Sequence, residues 1–276
     1  MSSLFDLWKG LPPAWKRRVR GWWFEGISAL DTGTDLLFLN HGCAPLDDAE
    51  PVLALDPDDE PHRFCIQLYH RVARPIDWTG RDGLEVSSGR GGGAAYVMRG
   101  FGPRSFVGID LANNAVAHCN RHYAIPGLSF RQGDAMALPF ADASLDAVLN
   151  VESSLLYPSL ARFLREVTRV LRPGGHLLFA DYRRVEKIDR MVAKLEGCGL
   201  EVRESEDLTE RVARALDLDQ ERKGERIDRH VPAPLRRSFR RFAGVGRGPD
   251  DDAAQFADRR KVYLRYWLHK PQRTWD

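Results

Sequence analysis

The decapeptide LEVSSGRGGG, residues 84–93, constrains the fold more than any other stretch of this chain. A short apolar run stops at the acid Glu85, two serines follow, and four of the next five residues are glycine. A strand that feeds a bare turn and then a helix start makes a site for an anionic or polar ligand. Glycine lets the main chain approach the ligand closely, and the helix end offers free N–H groups. A glycine-rich turn alone is a weak signal. A nicotinamide site wants G-x-G-x-x-G, whereas Ser87-Ser88-Gly89-Arg90-Gly91 reads S-x-G-x-G with Glu85 before it.

The rhythm around this stretch is that of an α/β sheet. GLEVSS, SFVGIDL, LSFRQGD, SLDAVLNVES and HLLFADYR read as strands, with glycine-led or amphipathic helices between them. In SLARFLREVTRVLRPGG the residues Leu160, Phe163, Leu164, Val167, Val170 and Leu171 recur at helical spacing, and Pro-Gly-Gly is a helix stop. Strands alternating with helices imply right-handed crossovers and a parallel sheet covered on both faces. LEVRESEDL and ADRRKVYLRYWLHK read as later strands, the second closing the sheet, and the DRRK run as a solvated strand end. Between them, TERVARALDLDQERKGERI and PAPLRRSFRRF read as charged helices. They cap an acceptor pocket or form a homodimer face; sequence does not separate the two. The expected organisation is an N-terminal helical lid (1–80), a core (81–208), a helical cap insertion (209–250) and a closing strand (251–276).

Acids recur where those strands end. Asp110 lies about twenty residues past the glycines, where an acid accepts hydrogen bonds from both hydroxyls of a ribose. Asp134, in QGDAMALPF, can receive an adenine amino group, with the Ala135 N–H beside it meeting a ring nitrogen. NVES supplies a fourth segment. Each acid alone is most often a solvated turn residue. Four such segments in order, at the carboxyl ends of parallel strands, point to a nucleoside-type cofactor.

The remaining composition excludes more than it assigns. With 43% hydrophobic and 29% charged residues the 276-residue chain is ordinary for a soluble domain, and its net charge of +2 gives no reason to expect nucleic acid. No apolar run approaches the ~18–20 residues that span a bilayer, so no stable membrane insertion is expected. MSSLFDLWKG has no basic segment followed by an apolar core, so no secretory signal is expected either. Cys43, Cys65, Cys119 and Cys198 form no CxxC, which fits a reduced cytoplasm. No acidic or histidine cluster demands a metal. The basic stretch PPAWKRRVRGWWFEG reads as a surface helix starting at Pro12 and Pro13, as a lid, or as a helix on a membrane surface, the first two being favoured because it is short and carries few basic residues. Trp8, Trp15, Trp22 and Trp23 are more often packing anchors than substrate platforms.

The motifs resemble those of class I S-adenosylmethionine-dependent methyltransferases: LEVSSGRGGG the first motif, GID the ribose acid, GDAMALPF the adenine motif and LREVTRVLRPGG the helix before the fifth strand. A narrower likeness runs through LLFLNHG, DEPHRFCIQLYHRVA, GRGGGAAYV, NVESSLLYP and IDRHVPAPLR. It is to bacterial O-methyltransferases of polyketide and lipid tailoring, of the phthiotriolone and rifamycin kind. The resemblance implies a Rossmann-like, mostly parallel sheet of seven strands and S-adenosyl-L-methionine as cofactor. It implies methylation of a hydroxyl, phenolic or enolic, on a lipophilic or aromatic small molecule. It places Glu85, Ser87, Gly89 and Gly91 at the methionine end, and Asp110 and Leu111 at the ribose. Asp134, Ala135 and Met136 fall at the adenine, and Asn150 and Glu152 under the cofactor. Tyr69 and His70 close over the amino-acid end.

Two positions depart from the pattern. Ser87 stands where glycine is commonest, and a small side chain fits the place. Leu155 stands where many relatives of NVESSLLYP carry a histidine beside the transferring methyl, the base for the substrate hydroxyl. Three explanations follow. Another base acts, with Asp181 in FADYR and His41 in LNHG as candidates, although a lone histidine is more often a packing or surface residue. Alternatively the acceptor ionises unaided, as an acidic phenol, enol or carboxylate does, and proximity suffices. Or methyl transfer is lost, leaving a cyclase or an auxiliary cofactor-binding protein on the same fold.

Overall fold

The computed structural model describes residues 37–47, 49–242, 245–246 and 251–272. The tryptophan-rich stretch with Pro12, Pro13, Trp8, Trp15, Trp22 and Trp23 lies outside the described residues. A helix α1 (Arg63–Ala73) precedes the alternation β1 (Asp82–Val86), α2 (Gly92–Phe101), β2 (Ser105–Asp110), α3 (Asn113–His122), β3 (Leu128–Gln132) and β4 (Leu145–Val151). It continues with α4 (Leu160–Val170), β5 (Leu171–Arg184), α5 (Ile188–Glu196) and β6 (Glu201–Asp207). Helices α6 (Thr209–Leu218), α7 (Gln220–His230), α8 (Ala233–Phe242) and α9 (Asp252–Ala257) lead to β7 (Lys261–His269).

The seven strands form one sheet in the order β3-β2-β1-β4-β5-β7-β6, parallel except for β7, which runs antiparallel to both neighbours. The fold is therefore the mostly parallel, Rossmann-like sheet expected from the alternation. The chain leaves β1 toward β2 on one side and returns to β4 on the other. The carboxyl end of β1 is thus the switch point at which open α/β sheets leave a crevice.

Local sequence accounts for the elements that frame this crevice. Helix α4 starts where Ser159 accepts a bond from the Arg162 amide, and it buries Leu160, Phe163, Leu164, Val167 and Val170 on one face. Each such side chain contributes about 1.5–3 kcal/mol on burial. The helix ends at Val170, and Pro173-Gly174-Gly175 falls inside the irregular start of β5, opposite a register shift in β4.

The cap divides differently from the 209–250 expectation. Leu208, Val212 and Leu216 share one buried cluster with Leu68 and Val72 of α1, so α6 belongs to the core. Its apolar residues Val212, Ala215 and Leu216 form a helical stripe, and a stripe of that kind buries against a sheet. The single charged helix read over 209–227 breaks at Asp219. Beyond it, Ile227, Val231 and Val245 make a small separate cluster.

The glycines of the first turn are bare for packing as much as for a ligand. A Cβ at Gly93 would lie 2.0 Å from the Tyr69 ring, and one at Gly92 would lie 2.6 Å from the Leu37 carbonyl oxygen. Gly91, with φ of +81°, starts α2 in the left-handed region and meets Cys119 and Phe130. Gly93→Ala should therefore cost about 1–3 kcal/mol through overpacking. Gly100→Ala, where the nearest atom is 3.6 Å away, should be neutral or stabilise by up to about 1 kcal/mol. Urea denaturation of the two variants measures this, and equal shifts would contradict the close-packing assignment.

Candidate active site

A cavity of about 1320 Å³ lies over the carboxyl ends of the strands. That exceeds the ~300–1,000 Å³ usual for one small ligand. Its floor on the β1–β3 side consists of Ser87, Gly89, Asp110, Leu111, Asp134, Ala135 and Met136. Main-chain amides aim the acids: Asp110 accepts from Gly89 and Ala112, each at 2.9 Å, and Asp134 accepts from Met136 at 2.8 Å. Tyr69, His41 and Glu152 also line the cavity.

Ser87 and Glu152, at the ends of β1 and β4, both adopt left-handed backbone, with φ of +62° and +51°. For residues other than glycine this costs of order 1–3 kcal/mol and persists only where surroundings enforce it. At Ser87 the enforcing contact is between its hydroxyl and that of Tyr157, 2.9 Å apart. The side chain expected merely to fit is therefore also held. The Tyr157 hydroxyl lies 2.7 Å from the Asn150 amide nitrogen and 2.9 Å from Ser153, which ties the β1 turn to the loop after β4.

Three of the predicted cofactor residues lie beneath the cavity rather than on it. Gly91 and Asn150 are buried, and Glu85 is buried at 1% exposure. Burial raises the Glu85 carboxyl to about 8, against the lowering effect of the Tyr69 hydroxyl, which donates to it at 2.6 Å. Glu85 makes no ion pair among the described residues. His70 is a correction: it does not line the cavity but bonds the Tyr96 hydroxyl at 2.8 Å on the outer side of α1. One residue past Tyr69, it falls on a different face of the same helix.

His41 is held between two carboxylates. Its amide donates to Glu152 at 2.9 Å, its Nδ1 lies 2.5 Å from the other Glu152 oxygen, and its Nε2 lies 3.0 Å from Asp252. Lys261 completes the chain at 2.6 Å from Asp252. Burial alone would lower the imidazole, but the two carboxylates outweigh it and raise it from 6.5 to about 9. Burial likewise opposes the ionised Asp252, yet His41 and Lys261 pull it down to about 2. At neutral pH His41 is an imidazolium with both nitrogens donating, so it offers no free lone pair to a substrate.

Asp181 also departs from its expected role. It is fully buried below the loop after β4 and does not line the cavity. It accepts from Ser154 at 2.6 Å, Leu155 at 3.1 Å and Tyr182 at 2.8 Å, with Arg183 at 3.0 Å. These bonds shape the loop, and they explain an acid at the end of β5 without catalysis. Leu155 does line the cavity. Sequence reading missed Tyr157, Lys261 and Asp252. A turn of acids before a short helix was the one signal for Asp252, and nothing linked it to a histidine 211 positions away.

A methyltransferase-domain family matches residues 84–179, from β1 into β5. The chain belongs to the class I S-adenosylmethionine-dependent methyltransferases, and its cofactor is S-adenosylmethionine. It is 39% identical over 229 residues to the probable phthiotriol/phenolphthiotriol dimycocerosates methyltransferase 2 of Mycobacterium ulcerans, covering 83% of this chain and 88% of that one. It is also 39% identical over 237 residues to the fatty-acid O-methyltransferase of Mycolicibacterium smegmatis, covering 86% and 84%. Among solved structures the [4+2]-cyclase SpnF superposes with a TM-score of 0.60 at 23% identity, covering 85% and 87%. That likeness is one of fold, and the cyclase alternative is not favoured. Among the described residues no helix is long and apolar enough to cross a membrane.

The histidine bridge carries a pH signature. Because the folded value of His41 lies above its ordinary 6.5, the bridge contributes fully below about 6.5 and is lost as pH rises through about 9. His41→Gln should cost on the order of 3 kcal/mol at neutral pH, since it takes the cation from Glu152 and leaves Asp252 with Lys261 alone. Thermal melts across that window should show the wild type losing stability and the variant changing less. Parallel curves would show that the bridge does not set the dependence.

Proposed function

We propose that this methyltransferase transfers the methyl group to an oxygen of a lipophilic, lipid- or polyketide-type small molecule, and that this oxygen ionises without an enzymic base. The names of its relatives support the acceptor class, and one of them acts on fatty acids by name. One observation carries the second part: among the described residues, the imidazole and the carboxylates on the acceptor side of the cavity are already engaged. His41 donates from both nitrogens, both Glu152 oxygens face His41, and Asp252 bridges His41 and Lys261. Asp251 caps α9 at the Ala254 amide, Asp228 pairs with Arg240, and Leu155 is inert.

The residues on the floor fit the cofactor by the chemistry of their donors and acceptors. Ser87 and the bare main chain at Gly89 suit the methionine portion. Glu85 and Tyr69 stand at its cationic amino end, where a buried carboxyl with no ion pair among the described residues would find its countercharge. Asp110 and Leu111 suit the ribose, and Asp134, Ala135 and Met136 the adenine, while Gly91 and Asn150 support this floor from below. When bound, S-adenosylmethionine supplies an electrophilic methyl on a sulfonium. The chain's own part is to hold the acceptor oxygen in line and to exclude water. Leu155, Leu156 and Val151 give that region apolar walls. Glu152, fixed by His41, keeps the segment 37–41 closed over the cavity.

Asp110→Ala should weaken S-adenosylmethionine binding by about 1–3 kcal/mol, measured by calorimetry; unchanged affinity would remove Asp110 from the ribose. Leu155→His should accelerate methylation of a phenol with an ordinary pKa of ~10 and leave a carboxylate or acidic enol unaffected. Steady-state kinetics with labelled cofactor on both acceptors reads this. Label appearing only on carbon or nitrogen, or equal acceleration of both acceptors, would defeat the proposal.

A further inference from the structure

The half of the cavity beyond the loop after β4 is basic. Arg184 at the end of β5, Lys261 at the start of β7, and Arg236, Arg237 and Arg240 on α8 line it, facing Asp228, Asp251 and Asp252. The pairs within this set leave a remainder. Lys261 is matched by Asp252 at 2.6 Å and Arg240 by Asp228 at 2.6 Å. Arg236 spends its Nε on the Val231 carbonyl at 2.8 Å and reaches Asp228 only at 4.0 Å. Among the described residues Arg184 and Arg237 make no ion pair and no side-chain hydrogen bond. Arg184 and Arg237 are solvent-exposed, yet with Arg236 they come from two separate elements, β5 and α8, and line the wall of one cavity whose nearer part is apolar.

We propose that Arg184, Arg236 and Arg237 form an anion subsite, which takes a carboxylate or phosphate group of the acceptor other than the oxygen that is methylated. The separation follows from the sheet order. The cofactor floor spans β1, β2 and β3, the apolar Leu155 and Leu156 follow β4, and the arginines stand past them over β5 and on α8. The acceptor is then an acid-bearing amphiphile: its reacting end lies against the leucines, and its charged group lies under the cap. Guanidinium groups bind planar oxyanions through paired N–H donors, which suits either anion. This inference rests on the methyltransferase reading above, and its test separates the two.

The probes are a nitrophenol carrying a long-chain carboxylate, its primary amide, and the same nitrophenol carrying an alkyl phosphate. Calorimetry on protein saturated with S-adenosylhomocysteine reads binding without any need for turnover, and kinetics with S-adenosylmethionine reads KM and product. The acid or the phosphate should bind about tenfold tighter than the amide, with the methyl on the phenolic oxygen in every product. The tighter of the two anions identifies the group. The double variant Arg184→Gln/Arg237→Gln should abolish the preference and leave S-adenosylhomocysteine affinity and amide binding unchanged, which also shows that it is folded. Equal binding of acid, phosphate and amide would overturn the subsite. So would a preference that survives the double variant, or a methyl ester as the product of the acid. Binding preference without turnover would leave the subsite standing and count against the oxygen-methylation reading alone.

Discussion

The site depends on three segments reaching the start of α2 at distances that no side chain there would permit. Tyr69 comes from α1, the Leu37 carbonyl from the segment before it, and Cys119 with Phe130 from the α3–β3 layer. Each approach fixes something downstream. The Tyr69 ring on Gly93 places its hydroxyl on Glu85 at the end of β1. The Leu37 carbonyl accepts from the Gly92 amide, and four residues later His41 reaches Glu152. The glycine run is therefore a packing junction first. Its ligand surface is what remains accessible once the junction has formed, namely Ser87 and Gly89.

Desolvation has opposite outcomes at Glu85 and at the His41 bridge. Among the described residues Glu85 has a phenol for a neighbour and no cation, so water's absence favours its protonated form. Glu152 and Asp252 have an imidazolium between them, and ionisation wins at His41 against its own burial. Burying an ion triad contributes little net stability, because desolvation cancels most of the attraction. What the triad supplies is connection. It joins residue 41, the end of β4 and the start of α9, three places that no helix or strand links directly. A residue read from sequence as a candidate base thus acts as a tie.

Legibility in the sequence followed the range of the interactions. The alternation of strands and helices, the crevice at the end of β1 and the acids after β2 and β3 are local patterns, and the observed sheet matches the expected one. The boundary of the cap was misread because α6 carries enough charge to resemble a solvated helix, although three apolar residues at helical spacing were there to be seen. Asp181 and His41 were legible as polar residues near the right strand ends. Their partners were not, since Ser154, Arg183 and Asp252 become neighbours only through the tertiary fold. The same holds for Arg184, Arg236 and Arg237, which sequence showed only as arginine-rich helices and a strand end.

The leucine at position 155 acquires a physical meaning from these placements. A general base is worth ~10²–10⁴ in rate when the acceptor must lose a proton during the reaction. An acceptor that arrives ionised forgoes none of that, and for it a histidine beside the methyl adds only a polar group to desolvate. An apolar wall then serves better, since it strips water from an oxyanion and sharpens its attack on a cationic sulfonium. The cost falls on drawing a charged molecule into an apolar crevice. Cations at the far end of the same cavity offset it without approaching the reacting oxygen, where a positive charge would stabilise the nucleophile and slow the transfer. On the proposed reading, the inert residue at position 155 and the basic residues farther along the cavity are complementary parts of one arrangement.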